Sequence, residues 1–155
     1  LSMLGIQNPP GWLNSSDWAL IAVEIVAIWR SMGYYAIILL AGLQGIPNEL
    51  YEAADIDGAG PFYKFRKITF PMLSPSIFFC VVMNIIGSFQ VFDTIVAMTQ
   101  GGPGRATNVL VYHIYRTAFE QWRFGYASAM AYIMFIIILI FTLIQFRGQE
   151  KWVNY

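Results

Sequence analysis

Charge is scarce in this sequence. Only 12% of the 155 residues are Asp, Glu, Lys or Arg, and 57% are apolar, whereas a typical soluble domain is about 25% charged and about 45–50% apolar. The nine basic and nine acidic residues cancel, so the chain has neither the basic excess of a nucleic-acid binder nor an acidic tail. This composition argues against a soluble globule and against a nucleic-acid partner.

Side chains that form disulfides, metal sites and catalytic sites are also few. Cys80 is the single cysteine and His113 the single histidine, so we expect neither an internal disulfide nor a Cys/His metal site. The glycine-rich stretch 101–105 lacks the lysine of a phosphate-binding loop, and we find no hydrolase or metalloprotease motif. We therefore expect no catalytic residues, no metal and no cofactor, and we predict that the chain is not an enzyme.

Long uncharged stretches are what the sequence does contain. Residues 72–92 and 125–146 have no Asp, Glu, Lys or Arg, and residues 18–44 have only Glu24 and Arg30. Each stretch reaches the length of about 20 residues that a helix needs to cross a bilayer. Buried helices of a soluble core, or a coiled coil, would need a regular charged face, which the last stretch lacks. The sequence predicts an all-α membrane protein with about three transmembrane helices.

Basic residues predict the orientation of these helices. Five Lys or Arg fall in the first connection and the C-terminal tail, against three in the second connection, so the positive-inside rule places the first connection in the cytoplasm. The predicted order is an outer loop (1–17), a span (18–45), a cytoplasmic segment (46–71), a span (72–98), an outer loop with a short helix (99–124), a span (125–146) and a cytoplasmic tail (147–155).

The first connection has more structure than a simple turn. Residues 48–57 favour a helix that Asn48 is placed to cap, and Gly58 and Gly60 are expected to end it, with a positive φ at Gly58. The aromatic and basic residues 62–67 follow before the next span. The pattern predicts a short helix, a glycine bend and a second short helix that protrude at the cytoplasmic surface. The alternative is a connector whose basic side chains rest on anionic lipid head groups.

A spaced motif runs through the same connection. It reads Glu52-Ala53-Ala54, three residues, Gly58, nine residues, then Ile68-Thr69-Phe70-Pro71. This spacing resembles the EAA loop of binding-protein-dependent ABC importers, with Phe70 where leucine is usual. The stretches LAGLQGIPNELYEAADIDGAG, FQVFDTIVAMTQGGPGRATNVLVYHIYRTAF and FRGQEKWVNY are similar to permeases of the carbohydrate-uptake branch, the maltose and glycerol-phosphate type. Because such permeases have further N-terminal spans, we interpret the chain as the C-terminal part of a type I ABC importer permease.

This resemblance implies a function and a set of partners. In that family the EAA loop is a coupling helix seated in a cleft of a cytoplasmic ATP-binding subunit, so ATP hydrolysis is expected in that separate subunit. The other implied partners are a second permease subunit, an extracytoplasmic solute-binding protein, membrane lipid and a sugar substrate. The implied location is the bacterial or archaeal cell (inner) membrane, as a multi-pass protein. The residues implied in the coupling contact are Glu52, Ala53, Ala54, Asp57, Gly58 and Pro71.

The second connection is expected to contain a short outer helix. Thr107 can cap a helix that runs through Glu120, because apolar residues recur there at helical spacing. By resemblance this segment would face the solute-binding protein. The alternative is that it lies on the membrane surface.

Polar side chains in and near the second span are candidates for a substrate path. They are Asn84, Ser88, Gln90 and Asp93. Polar groups inside a span are costly unless they face a cavity or a partner, and polar groups among aromatic rings suit a sugar. The alternative is hydrogen bonding between helices that only stabilises the bundle.

These observations predict a permease subunit of an ATP-driven importer, which translocates a sugar or sugar derivative by alternating access. Two other functions stay open at this point. One is a subunit of a secondary transporter or channel without an ATPase, and the other is a membrane scaffold.

Overall fold

The computed structural model describes residues 11–149, and within this range every regular element is a helix. The predicted loop before residue 11 and the tail beyond residue 149 lie outside the described residues. A π-helical turn, Phe65–Thr69, lies within the third helix, and a second one, Arg116–Glu120, follows the fifth. The helices in this range are α1 (Ser16–Gln44), α2 (Asn48–Ile56), α3 (Pro61–Ser88), α4 (Asp93–Met98), α5 (Leu110–Tyr115) and α6 (Phe124–Gln149).

Helices α1, α3 and α6 have the length and composition of membrane spans. They contain 29, 28 and 26 residues, and at about 1.5 Å per residue each exceeds the hydrocarbon thickness of about 30 Å. Large apolar side chains cover their exposed surfaces, as at Ile37, Tyr132 and Ile144. Such continuous apolar surfaces suit lipid. The predicted all-α membrane fold with three transmembrane helices is confirmed.

The second span differs from the predicted range 72–98 at both ends. Helix α3 begins at Pro61 and ends at Ser88, and the separate helix α4 covers the last part of that range. The break lies inside the uncharged stretch 72–92, so the absence of charge that predicts the span gives no sign of it. In the break the Phe92 N–H donates to the Gln90 carbonyl oxygen over 2.8 Å, a tight turn that stops the helix.

Two prolines, Pro71 and Pro75, lie inside α3. Because Pro75 has no N–H, the Pro71 carbonyl oxygen loses its usual helical partner. The Ser74 hydroxyl donates to this oxygen over 2.6 Å, and Ser74 is buried. The side-chain bond replaces the backbone bond, so the helix continues. The predicted second short helix of the first connection is therefore the beginning of α3.

The described residues form two compact units, and the first contains residues up to 31 together with 88–137. Its core joins Val23 of α1, Ile95 of α4 and Tyr112 of α5, with partly buried apolar side chains around them. Burial of these apolar groups holds the two short helices in place.

The second unit contains residues 32–87 together with 138 onward. In it α1 and α3 approach closely at Gly42, where an added Cβ would lie 2.5 Å from the Ser76 Oγ. The rings of Phe78 and Phe146 meet edge to face with centroids 5.4 Å apart, a favourable arrangement for aromatic pairs. Close helix contact and ring packing thus define this unit.

The turn between α4 and α5 corrects the prediction for Thr107. Helix α5 begins only at Leu110, and Thr107 does not cap it. The fully buried Thr107 hydroxyl instead donates to the Gly102 carbonyl oxygen over 2.8 Å and lies 2.7 Å from the Thr99 Oγ1. A buried hydroxyl needs a hydrogen-bond partner, and this turn provides it before the helix starts.

Candidate functional site

Helix α2 contains Glu52, Ala53 and Ala54 of the spaced motif. Its N-cap position is held by Pro47, whose backbone is extended, and no side-chain hydrogen bond caps the helix. Asn48 is already the first helical residue, so the prediction that Asn48 caps the helix is wrong. The sequence signal was ambiguous here because proline before a helix and Asn in its first turn are both compatible with a helix start.

The end of α2 is a Schellman motif centred on Gly58. The Gly58 N–H donates to the Asp55 carbonyl oxygen over 3.0 Å, and the Ala59 N–H donates to the Ala54 carbonyl oxygen over 2.9 Å. Gly58 has φ +74°, with open space where a Cβ would stand. The predicted positive φ is confirmed, and its cause is backbone conformation rather than crowding.

Four of the residues implied in coupling, Ala53, Ala54, Asp57 and Gly58, line one side of an open groove of about 560 Å³ between α2 and the start of α3, and Glu52 and Pro71 lie outside its lining. Among the residues implied in coupling Ala54 is buried, whereas Glu52, Ala53, Asp57 and Gly58 are exposed. Pro71 lies further along α3 and is half-buried. The groove is lined by Leu50, Ala53, Ala54, Asp57, Gly58, Ala59, Gly60, Tyr63, Lys67 and Ile68.

Two side-chain bonds connect α2 to the start of α3. The Tyr51 hydroxyl lies 2.9 Å from the Thr69 Oγ1, and the Lys64 Nζ donates to the Asp55 Oδ1 over 2.7 Å. Sequence reasoning missed both pairs. The predicted glycine bend could have indicated these pairs, because it folds the two helices back on each other. Residues before the bend thereby come near residues after it.

Large apolar side chains at this end of the second unit are exposed. Ile56 is 87% exposed and Phe62 is 75% exposed. Leu50, Tyr63 and Phe65 are also exposed. Apolar groups concentrated in this way mark a surface that contacts a partner protein or lipid.

The candidate path residues all have exposed side chains. Asn84 lies in α3 in the second unit, and Ser88 is the last residue of α3. Gln90 falls in the break after α3, and Asp93 is the first residue of α4. Ser88, Gln90 and Asp93 belong to the first unit. The structure thus places all four residues at exposed positions.

A further charged pair lies outside the spans, among the described residues of the first unit. The Arg116 Nε donates to the Glu120 Oε2 over 2.7 Å, and this hydrogen bond raises the pKa of the Arg116 guanidinium. Among residues 11–149 no group of three or more His, Cys, Asp or Glu is placed to hold a metal ion. His113 has its Nδ1 3.4 Å from the Asn108 amide nitrogen.

Comparison with known proteins identifies the family. Residues 1–152 match the family described as "Binding-protein-dependent transport system inner membrane component". The chain is 41% identical to the sulfoquinovosyl glycerol transport system permease protein SmoG of Agrobacterium fabrum, over 88% of this chain and 44% of that protein. It is 37% identical to the trehalose/maltose transport system permease protein MalF of Thermococcus litoralis, over 95% of this chain and 49% of that protein. The chain therefore spans about half the length of the curated relatives it matches.

A solved structure shows that this fold also occurs in an ABC transporter. It is a bacterial alginate ABC transporter in complex with an alginate pentasaccharide-bound periplasmic protein, and it matches 96% of this chain and 52% of its own chain with a TM-score of 0.84 at 25% identity. The resemblance to permeases of binding-protein-dependent importers is confirmed. The chain belongs to the family of inner membrane components of binding-protein-dependent transport systems, as a helical, multi-pass membrane protein.

Proposed function

We propose that this chain is part of the permease of an ATP-driven importer that moves a sugar or sugar derivative across the membrane by alternating access. The names of its relatives support this substrate class, since they include permeases for sulfoquinovosyl glycerol and for trehalose and maltose. The observation that carries the proposal is the exposed helix-bend-helix formed by α2, Gly58 and the start of α3.

The protrusion formed by residues 48–71, here called the coupling stub, binds a cytoplasmic ATP-binding subunit. Glu52, Asp57 and Gly58 are exposed on it, and Ala53 is small enough for a partner to approach the backbone. Ala54 packs beneath this surface, and Pro71 lies in the helix that continues from the stub. When the ATP-binding subunits bind ATP and close, they would move the coupling stub and, with it, helix α3.

The remaining partners follow from the same assignment. A second permease subunit completes the translocation path, and an extracytoplasmic solute-binding protein delivers the sugar. The alginate transporter of the solved structure is in complex with a periplasmic protein that carries its sugar ligand, which supports this partner. The exposed lipid-type surfaces of α1 and α6 contact membrane lipid.

Asn84, Ser88, Gln90 and Asp93 contribute polar groups to the sugar path. Their support is that all four are exposed in or beside a span whose other surface is mostly apolar. A polar group at such a position requires a polar partner or a water-filled cavity. Replacing Asn84 with Leu should lower sugar uptake in the complete transporter while leaving binding of the ATP-binding subunit unchanged.

The test of coupling compares two glycines of the stub in the complete transporter. Gly58→Ala forces a side chain into a left-handed backbone, whereas Gly60 has φ −70° and open space around it. We expect Gly58→Ala to lose most of the association with the ATP-binding subunit and most of the ATP-dependent uptake, and Gly60→Ala to keep both.

The same experiment separates the alternatives. A secondary transporter or channel subunit would take up solute without ATP. In that case Gly58→Ala would not change the energy source of uptake. A scaffold would show no solute uptake. Normal association and uptake in the Gly58→Ala variant would contradict the proposed coupling role.

A further inference from the structure

The bonds between α2 and the start of α3 form a mechanical link, and this inference rests on the proposed coupling function. We propose that the pairs Tyr51–Thr69 and Asp55–Lys64, here called the brace, fix the angle of α2 against α3 so that a displacement of α2 reaches the span. The four residues position the coupling stub and do not themselves form the contact with the ATP-binding subunit.

Helix α2 has little else to hold its orientation. Ala54 is its single buried residue, so apolar burial, the usual source of helix docking, contributes little here. The chain linkage through Gly58 is a bend with open space around it. The side-chain bonds of the brace therefore decide how firmly α2 is attached.

The two pairs lie one turn apart on both helices. On α2, Tyr51 and Asp55 are separated by four residues and share a face. On α3, Lys64 and Thr69 are separated by five residues, which would diverge by about 140° in an α-helix. The π-helical turn Phe65–Thr69, with its Phe70 N–H bonded to the Phe65 carbonyl oxygen, widens this turn. Since π-helical bonds join residues five apart, Lys64 and Thr69 face α2 together.

The two charged side chains of the brace each stand at the helix end that disfavours their charge. Asp55 stands in the last turn of α2, and Lys64 stands in the first turn of α3. The helix dipole disfavours an acid at a C-terminal end and a base at an N-terminal end. Local helix stability therefore does not explain this pair, whereas the attraction between the two side chains does.

The test uses the full-length permease with its ATP-binding subunit in lipid vesicles. The variants are Lys64→Asp, Asp55→Lys, the double charge exchange of both, Thr69→Val, and Arg66→Asp as a control with the same charge change on the same helix. One measurement is amide hydrogen exchange of residues 48–57 in the permease without the ATP-binding subunit. The other is the ratio of sugar taken up to ATP hydrolysed in the complete transporter.

We expect each single brace variant to speed exchange in α2 and to lower the transport ratio by about two- to five-fold, the effect of losing one modest hydrogen bond. The ATP-binding subunit should still associate. The double charge exchange should restore both values, because it keeps the pair and also suits the helix dipoles, and Arg66→Asp should change neither.

Three results would overturn the inference. Unchanged exchange in Lys64→Asp and Thr69→Val would show that these bonds do not hold α2. Faster exchange with an unchanged transport ratio would show that the brace does not transmit motion, and loss of subunit association would make these residues part of the contact. If the wild-type transporter hydrolyses no ATP in response to sugar, the proposed function fails, and exchange still tests the brace.

Discussion

The turn between α4 and α5 and the bend between α2 and α3 are both glycine turns, but they are built in opposite ways. In the first, Gly101 has φ +84°, and an added Cβ would lie 2.5 Å from the Tyr112 ring. In the second, Gly58 has a similar φ of +74° with nothing near it. We call the first turn closed, because a side chain packs against its glycine, and the second turn open, because none does. The difference indicates a structural role for the first turn and a surface available to a partner for the second.

The closed turn should be the more sensitive to substitution. Gly101→Ala adds both backbone strain and a clash with Tyr112, and we expect a destabilisation of about 3 kcal/mol or more. Gly104→Ala is the control, since Gly104 also has positive φ but has open space. A thermal-unfolding series of the purified permease compares them. Equal effects of the two substitutions would show that packing against Tyr112 does not matter.

The buried hydroxyl of the closed turn gives the next largest expected effect. Thr107→Val keeps the side-chain shape but removes the bonds to Gly102 and Thr99. The Thr99 hydroxyl keeps its bond to the Ile95 carbonyl oxygen, so the loss falls mainly on the Gly102 carbonyl oxygen and should cost about 1–3 kcal/mol. Thr107→Ser keeps the hydroxyl and should recover most of the loss in the same unfolding measurement. A Ser variant no better than the Val variant would contradict the hydrogen-bond explanation.

Substitution of Gly58 in the open bend should reduce transport function more than it reduces stability. Gly58→Ala carries only the cost of the left-handed conformation, about 1–2 kcal/mol, and Gly58→Asn should cost less because Asn tolerates that conformation better. Unfolding midpoints and ATP-dependent uptake measured together sharpen the comparison with Gly101. If uptake follows the unfolding midpoint across both glycines, the bend has no separate coupling role.

The smallest expected effect is that of the exposed ion pair on stability. Lys64→Gln removes the bond to Asp55, whose side chain is 62% exposed, so the loss in unfolding free energy should be only about 0.2–1 kcal/mol. Raising the salt concentration should reduce the difference between variant and wild type. A large loss that persists at high salt would mean that Lys64 has a packing role.

The regular features of this fold could be predicted from the sequence. The sequence did not predict which of several possible hydrogen-bond partners a side chain would take. The spans follow from uncharged length, and the bend at Gly58 follows from the motif spacing. Thr107 and Asn48 are good capping residues by type, but Thr107 donates to the Gly102 carbonyl oxygen instead, and Pro47 occupies the cap position before Asn48.

The end of α3 and the brace were missed for related reasons. The break after Ser88 begins inside the uncharged stretch 72–92, so the distribution of charge does not reveal it. The pairing of Tyr51 with Thr69 depends on a π-helical turn, and the regular 3.6-residue period does not predict such a turn. The partners of the coupling stub and the residues of the sugar path stay predictions.

Covalent capture at Ala53 tests the central claim most directly. Ala53 is small and exposed on α2, so a photoreactive side chain there should reach whatever covers the stub in the complete transporter in its native membrane. We predict that it captures the ATP-binding subunit, with a yield that changes when ATP is added, whereas the same group at Tyr132 in α6 captures only lipid. Capture of lipid alone at Ala53, or labelling of Ala53 from the outer side of the membrane, would contradict the account.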